Sequence, residues 1–287
     1  MSEQRSERSA GPVSEHRSER SERGAERLAG PVSEQRSERS ERGAERLAGP
    51  NVRRIGVVVP ARDEGPRLER CLRAIDRAAA AVDRPVLAVL VLDSCTDDSA
   101  ARAARLRLAL PVRLEVLTAR YAAAGAARVA GAEHLLATLG TDGTWLATTD
   151  ADSTVPANWL AEQVRLAGSG ADLVAGTVTV RDWEDRPARV RLRAEEEYAV
   201  ALAGTGHGHV HGANLGISAA WYRRVGGFPP VACDEDVLLV AAARAVGANI
   251  AWAAGIAVTT SARSDARAPG GFASYLDELA VEDGTAS

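Results

Sequence analysis

Asp150 and Asp152 stand two residues apart in Thr148-Thr149-Asp150-Ala151-Asp152-Ser153, directly after the apolar run Thr144-Trp145-Leu146-Ala147. Two carboxylates at the end of a buried strand are costly unless positive charge lies between them. A divalent cation, Mn2+ or Mg2+, meets that need, because it prefers hard oxygen ligands and often binds through one or two carboxylates plus a substrate diphosphate. Asp152 is the metal-ligand candidate, with Asp150 beside it; an ordinary acidic turn is the alternative. A second acidic set, Asp234-Glu235-Asp236, precedes Val237-Leu238-Leu239, where a helix N-terminus would favour negative charge. A third, Asp93 with Asp97 and Asp98, follows the apolar run 86–92 and has strand-end turn formation and helix capping as its plainer roles. Arg263 follows Thr259-Thr260-Ser261-Ala262, with Arg267 and Gly270-Gly271 beyond it. Arginines in such a glycine-rich flap can close over a diphosphate through bidentate pairing; a solvated loop is the other reading. His207, His209 and His211 alternate, which on a strand would place them on one face. That face could hold zinc or supply hydrogen-bonding histidines to a flexible acceptor-side segment.

The elements that would carry these residues alternate between strand and helix. Ile55-Gly56-Val57-Val58-Val59-Pro60 is a continuous apolar run, as expected of a parallel strand covered on both faces. Residues 66–82 place Leu68, Cys71, Leu72, Ile75 and Ala79 at helical spacing. The pattern then predicts strands at 86–92, 112–117, 145–148 and 173–180, and helices at 98–108, 125–139 and 156–167, the last with Pro156 in its first turn. This order predicts a doubly wound α/β, mostly parallel sheet. Ligands of such sheets bind beyond the carboxyl ends of the strands, and Asp93, Asp150 and Asp152 all fall there.

Residues 1–51 differ in kind. Gly11-Pro12-Val13-Ser14-Glu15-His16-Arg17-Ser18-Glu19-Arg20 recurs nineteen residues later as Gly30-Pro31-Val32-Ser33-Glu34-Gln35-Arg36-Ser37-Glu38-Arg39. Each unit has only Leu and Val as sizeable apolar groups, too little to offset the entropy of ordering, so a disordered tail is expected ahead of one domain over 52–287. Valines at 13, 32 and 52 are candidate alternative starts, so part of the repeat need not be translated. Of 287 residues, all 35 basic side chains are arginine, and the net charge of −4 lacks the basic footprint of a nucleic-acid binder. Three cysteines, Cys71, Cys95 and Cys233, lack metal-site spacing and fit a reduced thiol state. No apolar run approaches the ~20 residues of a membrane span, and the N-terminus has no signal-peptide core. A cytoplasmic protein is expected.

Four motifs together resemble the family 2 glycosyltransferases of the GT-A fold, a Rossmann-like sheet, over about residues 53–265. They are Val57-Val58-Val59-Pro60-Ala61-Arg62-Asp63-Glu64; Val91-Leu92-Asp93-Ser94-Cys95-Thr96-Asp97-Asp98-Ser99; Gly125-Ala126-Ala127-Arg128 followed by Asp150-Ala151-Asp152; and Gly212-Ala213-Asn214-Leu215-Gly216-Ile217 followed by Val225-Gly226-Gly227-Phe228 and Asp234-Glu235-Asp236. The resemblance implies transfer of a sugar from a nucleotide-sugar donor, UDP-linked in the favoured case, to a sugar, small-molecule or lipid-linked acceptor that the motifs do not identify. It implies that Asp93 contacts the nucleoside base, and that Pro60, Arg62 and Glu64 line the nucleotide pocket. Arg128 would hold donor phosphate or sugar groups, with a surface helix arginine as its plainer role. Asp236 matches the family's base, which takes the acceptor proton in an inverting displacement; Asp234 and Glu235 are the alternatives for that role or for an acceptor contact. The family's continuation of this helix with another acid and an arginine is missing, since Leu239 and Ala243 stand there.

Two other functions fit the same sheet. A sugar nucleotidyltransferase would open with a glycine-rich phosphate loop and use a lysine, whereas this first strand ends in Pro-Ala-Arg and lysine is absent. A non-catalytic sugar-nucleotide binding or scaffolding module would show donor binding without transfer.

Overall fold

The structure, a computed structural model, describes residues 50–183, 186–202, 209–231, 233–263 and 272–282. The repeat tail through residue 49, His207, Arg267, Gly270 and Gly271 lie outside the described residues. The described residues belong to one unit, Leu47–Ser287.

Seven strands form one mixed sheet in the order β3-β2-β1-β4-β6-β5-β7. They are β1 (Arg54–Ala61), β2 (Val86–Asp93), β3 (Arg113–Ala119), β4 (Thr144–Thr148), β5 (Leu173–Arg181), β6 (Leu215–Ser218) and β7 (Ile250–Ser261). The helices are α1 (Gly65–Ala80), α2 (Ser99–Ala109), α3 (Ala124–Leu139), α4 (Trp159–Gly168), α5 (Ala188–Leu202), α6 (Ala219–Arg224), α7 (Glu235–Ala245) and α8 (Phe272–Glu282). β1, β2, β3 and β4 run parallel, β6 runs antiparallel to both its neighbours, and β5 and β7 are parallel to each other. The chain steps outward from β1 to β3 and then places β4 on the opposite edge of β1. The topological switch therefore lies between β1 and β4, where a crevice opens at their carboxyl ends.

Alternation along the strands explains why both faces are packed. Ile55, Val57 and Val59 join Leu68, Leu72 and Ile75 of α1, Leu106 of α2 and Trp159 and Leu160 of α4 in one core. Val58, Val89 and Val91 join Leu135 of α3, Tyr222 of α6 and Leu239 and Val240 of α7 in a second. Burial of this apolar area at roughly 25 cal/mol per Å² is the main force holding the layers together. A smaller cluster, Val190, Ala194, Ala262, Leu276 and Leu279, packs α5 and α8 at the end of β7.

Two buried amides pin the seam where strand direction reverses. Asn214, with no exposed surface, accepts from Trp159 Nε1 at 2.8 Å and donates to the carbonyls of Thr177 and Ile256 at 2.8 and 2.7 Å. Gln163 accepts from Trp145 Nε1 at 2.8 Å. Gly176 and Gly216 leave room for these amides: a Cβ there would sit 2.2 Å from Asn214 Nδ2 and 2.1 Å from Gln163 Oε1.

The helix predicted to begin at Pro156 begins at Trp159 instead. Thr154 is held in an antiparallel bridge to Thr259, with N–H···O bonds of 2.8 and 3.0 Å, and the chain cannot turn helical until it leaves that bridge. His209 and His211 lie in no strand. Their rings stack at 5.8 Å and 8°, with the Tyr198 ring 4.8 Å from His209. Among the described residues no helix is long and apolar enough to cross a membrane.

Candidate active site

A cavity of about 410 Å³ opens at the switch, reaching from the ends of β1 and β2 to the first turn of α7. It brings together Pro60, Arg62, Glu64, Asp93, Arg128, Asp150, Asp152, Glu235, Asp236 and Arg263, which come from six separate places in the chain.

At one end the loops after β1 and β2 brace each other. Asp63, at φ 51° in the left-handed region, accepts the Thr96 and Asp97 N–H groups at 2.6 and 3.0 Å. The bond from Thr96 holds its carboxyl below the usual range. Asp97 accepts from the N–H groups of Gly65 and Ser99, both at 2.9 Å. Asp98 pairs with Arg102 one turn along α2. Asp97 thus has the turn role that was its plainer reading, whereas Asp98 makes no side-chain cap and serves α2 only through the ion pair. Asp93 is nearly buried, and its carboxylate accepts the N–H groups of Tyr121, Ala122 and Ala123 at 2.6, 3.0 and 3.0 Å. It fixes the turn that starts α3 while still lining the cavity.

The centre is a chain of ion pairs. Arg128 reaches from α3 to Asp150 and Glu235, and its side chain and that of Glu235 are 5% and 6% exposed. It is a buried bridge between the end of β4 and the start of α7 instead of a surface arginine. Asp152 Oδ1 accepts the Ser153 hydroxyl at 3.1 Å and the Thr260 hydroxyl at 3.4 Å, and Oδ2 accepts from Arg263. Burial pushes the Asp150 carboxyl up to about 6; Arg128 opposes that shift, and Asp152, Glu235 and Asp236 add to it.

At the far end Asp234 turns the chain at φ 62°, so that Glu235 and Asp236 open α7. Asp236 Oδ2 accepts from Gly212 N at 2.5 Å and Oδ1 from Val237 N at 2.8 Å. Gly212 is required twice: its N–H orients Asp236, and a Cβ there would lie 2.5 Å from Arg128 Nη2. Val178, Val210, His211 and Tyr275 complete this wall. No motif marked Tyr275 or Val178, which arrive through the packing of β5 and α8.

Among the described residues seven carboxylates and three arginines line the cavity. That excess of hard, anionic oxygen suits a divalent cation, which Asp152 and Asp150 could hold. Among the described residues, a group of three ligand atoms within 4.8 Å of one another lies elsewhere, at Asp63, Cys95 and Asp97, where both carboxylates already serve the turn.

Glycosyl transferase family 2 matches residues 56–226, and the chain belongs to that family. Its fold is like that of S. aureus TarS 1–349 solved with UDP-GlcNAc, at 12% identity and TM-score 0.55 over 80% of this chain and 66% of that one. It is also like the mannosyltransferase PcManGT of Pyrobaculum calidifontis solved with GDP-Man and Mn2+, at 18% identity and TM-score 0.54 over 88% and 82%. GalNAc-T7 with UDP, GalNAc and Mn2+ aligns at 16% identity and TM-score 0.54 over 76% and 46%. The chain spans just under two thirds of TarS 1–349 at most, and 42% of the TarS chain in another structure. No curated protein sequence matches it.

Proposed function

We propose that this protein is a metal-dependent, inverting glycosyltransferase that moves a sugar from a nucleoside-diphosphate donor, UDP-linked in the favoured case, to a hydroxyl acceptor. The observation that carries the reading is the single cavity joining the Asp150/Asp152 pair to Asp236. Family membership favours sugar transfer over nucleotidyl transfer. The complexes of TarS with UDP-GlcNAc and of PcManGT with GDP-Man and Mn2+ support a nucleotide-sugar donor and a divalent ion.

Asp152 and Asp150 would hold the cation, which acts as a Lewis acid on the donor diphosphate. Pro60, Arg62, Glu64 and Asp93 line the nucleoside end, and Arg128 and Arg263 bring positive charge to the diphosphate path. Asp236, oriented by the Gly212 and Val237 N–H groups, takes the proton of the acceptor hydroxyl. As that oxygen bonds to the anomeric carbon, the bond from this carbon to the diphosphate oxygen breaks, and the electron pair leaves with the nucleoside diphosphate. Glu235, committed to Arg128, positions and does not exchange protons. The valine, histidine and tyrosine wall beside Asp236 receives the acceptor.

A thermal-shift panel of UDP, GDP, TDP, CDP and ADP, each with and without Mn2+, tests the donor site. A ligand at about a hundred times its dissociation constant adds roughly 2.7 kcal/mol, or on the order of 5–10 °C in a domain of this size. The expected result is a shift for one nucleotide that needs Mn2+ and vanishes in Asp152→Ala. A folded protein that shifts with none of them would overturn the proposal.

A further inference from the structure

Glu64 and Arg263 stand 199 residues apart in sequence, yet Arg263 Nη1 donates to Glu64 Oε1 at 2.5 Å. The same nitrogen donates to Asp152 Oδ2. The Glu64, Asp152 and Arg263 side chains are only 5%, 11% and 17% exposed. Besides Arg67, whose Nη1 lies 3.7 Å from Glu64 Oε2, Arg263 places one positive charge between two desolvated carboxylates from different elements. The main chain bearing it is fixed separately. Arg186, whose side chain is 3% exposed, donates to the carbonyls of Ala262 and Arg263, both at 2.7 Å, and to Asp277 of α8 at 2.6 Å. Such an anchor holds the backbone at residue 263 independently of the rotamer its long side chain takes.

We infer that Glu64 and Asp152 form a cation position that Arg263 fills until donor arrives, and that its guanidinium and a divalent ion exchange there. When a nucleoside diphosphate enters with its cation, the cation takes the two carboxylates and Arg263 transfers to the diphosphate. Charge stays balanced in both states, since the arginine leaves one pair of anionic oxygens for another. A cation alone must break those two ion pairs, whereas nucleotide offers the arginine new ones. Cation and nucleotide thereby bind cooperatively, through a residue that favours one partner in each state. The inference rests on the proposed donor site and adds Glu64 as a cation ligand and Arg263 as the cation's competitor.

Electron paramagnetic resonance of free Mn2+ gives its affinity directly, with no turnover needed. Without nucleotide, R263Q is expected to bind Mn2+ about tenfold more tightly than wild type, a change within the usual span of coupling between sites. Adding E64Q or D152N to R263Q should remove that gain. Saturating UDP or GDP should raise Mn2+ affinity less in R263Q than in wild type. Circular dichroism establishes folding, and R263A serves by the same criteria if R263Q does not fold. R263Q binding Mn2+ no more tightly than wild type would overturn the exchange, as would an R263Q/E64Q protein that keeps the whole gain. Failure of the donor site looks different: wild type would then bind no nucleotide in the presence of Mn2+, whatever residue 263 is.

Discussion

Replacing Arg128 by methionine isolates the buried bridge on which the site is built. The change strands Glu235, whose side chain is 6% exposed, and leaves Asp150, at 35%, facing Glu235 and Asp236 without a counterion. Removing one partner of a buried ion pair costs about 3–5 kcal/mol. The partial exposure of Asp150 lets water screen its share, so the lower end, about 3 kcal/mol, is expected. At about 2–4 °C per kcal/mol for a domain of this size, the melting point should fall by roughly 6–12 °C. R128M/E235M removes the charge left stranded in the α7 turn and should recover most of the loss, because apolar replacements of buried ion pairs are often neutral. Urea unfolding at pH 7 without metal, followed by tryptophan fluorescence from the buried Trp145 and Trp159, measures R128M, E235M and the double variant. R128M and R128M/E235M are both expected to lose nucleotide-dependent turnover, which separates fold from function. An R128M protein within about 1 kcal/mol of wild type, or a double variant as unstable as the two single changes added, would refute the reasoning.

Asn214→Ala removes three buried hydrogen bonds at the sheet seam and orphans the Trp159 N–H. At about 1–3 kcal/mol for an unsatisfied buried group, a total loss of roughly 3–5 kcal/mol is expected by urea unfolding, and a loss below about 1 kcal/mol would argue against the staple. The Glu115 carboxyl is held below its usual value by the His134 hydrogen bond at 2.5 Å. Because the folded form is the more acidic one, this contribution is complete above the ordinary value of 4.5 and disappears as pH falls through the folded value. His134→Leu should therefore be less stable than wild type at pH 7 and converge with it toward pH 3, on urea midpoints; a constant gap across that range would count against the pair.

β1, β2 and β4 were legible because they are buried on both faces and read as largely apolar runs. β6 was not: Leu215-Gly216-Ile217-Ser218 is four residues long, and its place depends on pairing with Trp145 through Thr148 and on the room Gly216 leaves for Gln163. The alternating histidines suggested a strand that tertiary packing replaced with a ring stack on Tyr198. Asp150, Asp152, Asp93 and Asp236, which line the cavity, could be picked out because acids at strand and helix ends are visible locally. The partners of these acids were less visible. The Gly212–Asp236 bond, the Arg128–Glu235 pair and the hold of Arg186 on residues 262–263 each join distant segments, and no spacing rule reports them.

Cys71 lies on the inner face of α1, 1% exposed, with its Sγ donating to the Asp150 carbonyl at 3.4 Å. Burial, together with the nearby carboxylates, pushes its thiol well above the usual range, so the native molecule shields it from alkylation. Its labelling rate therefore counts the moments when α1 lifts away from the acidic turn. The chain carries its own clock for local opening beneath the proposed donor site, and a bound nucleotide would be read as a slowing of that clock.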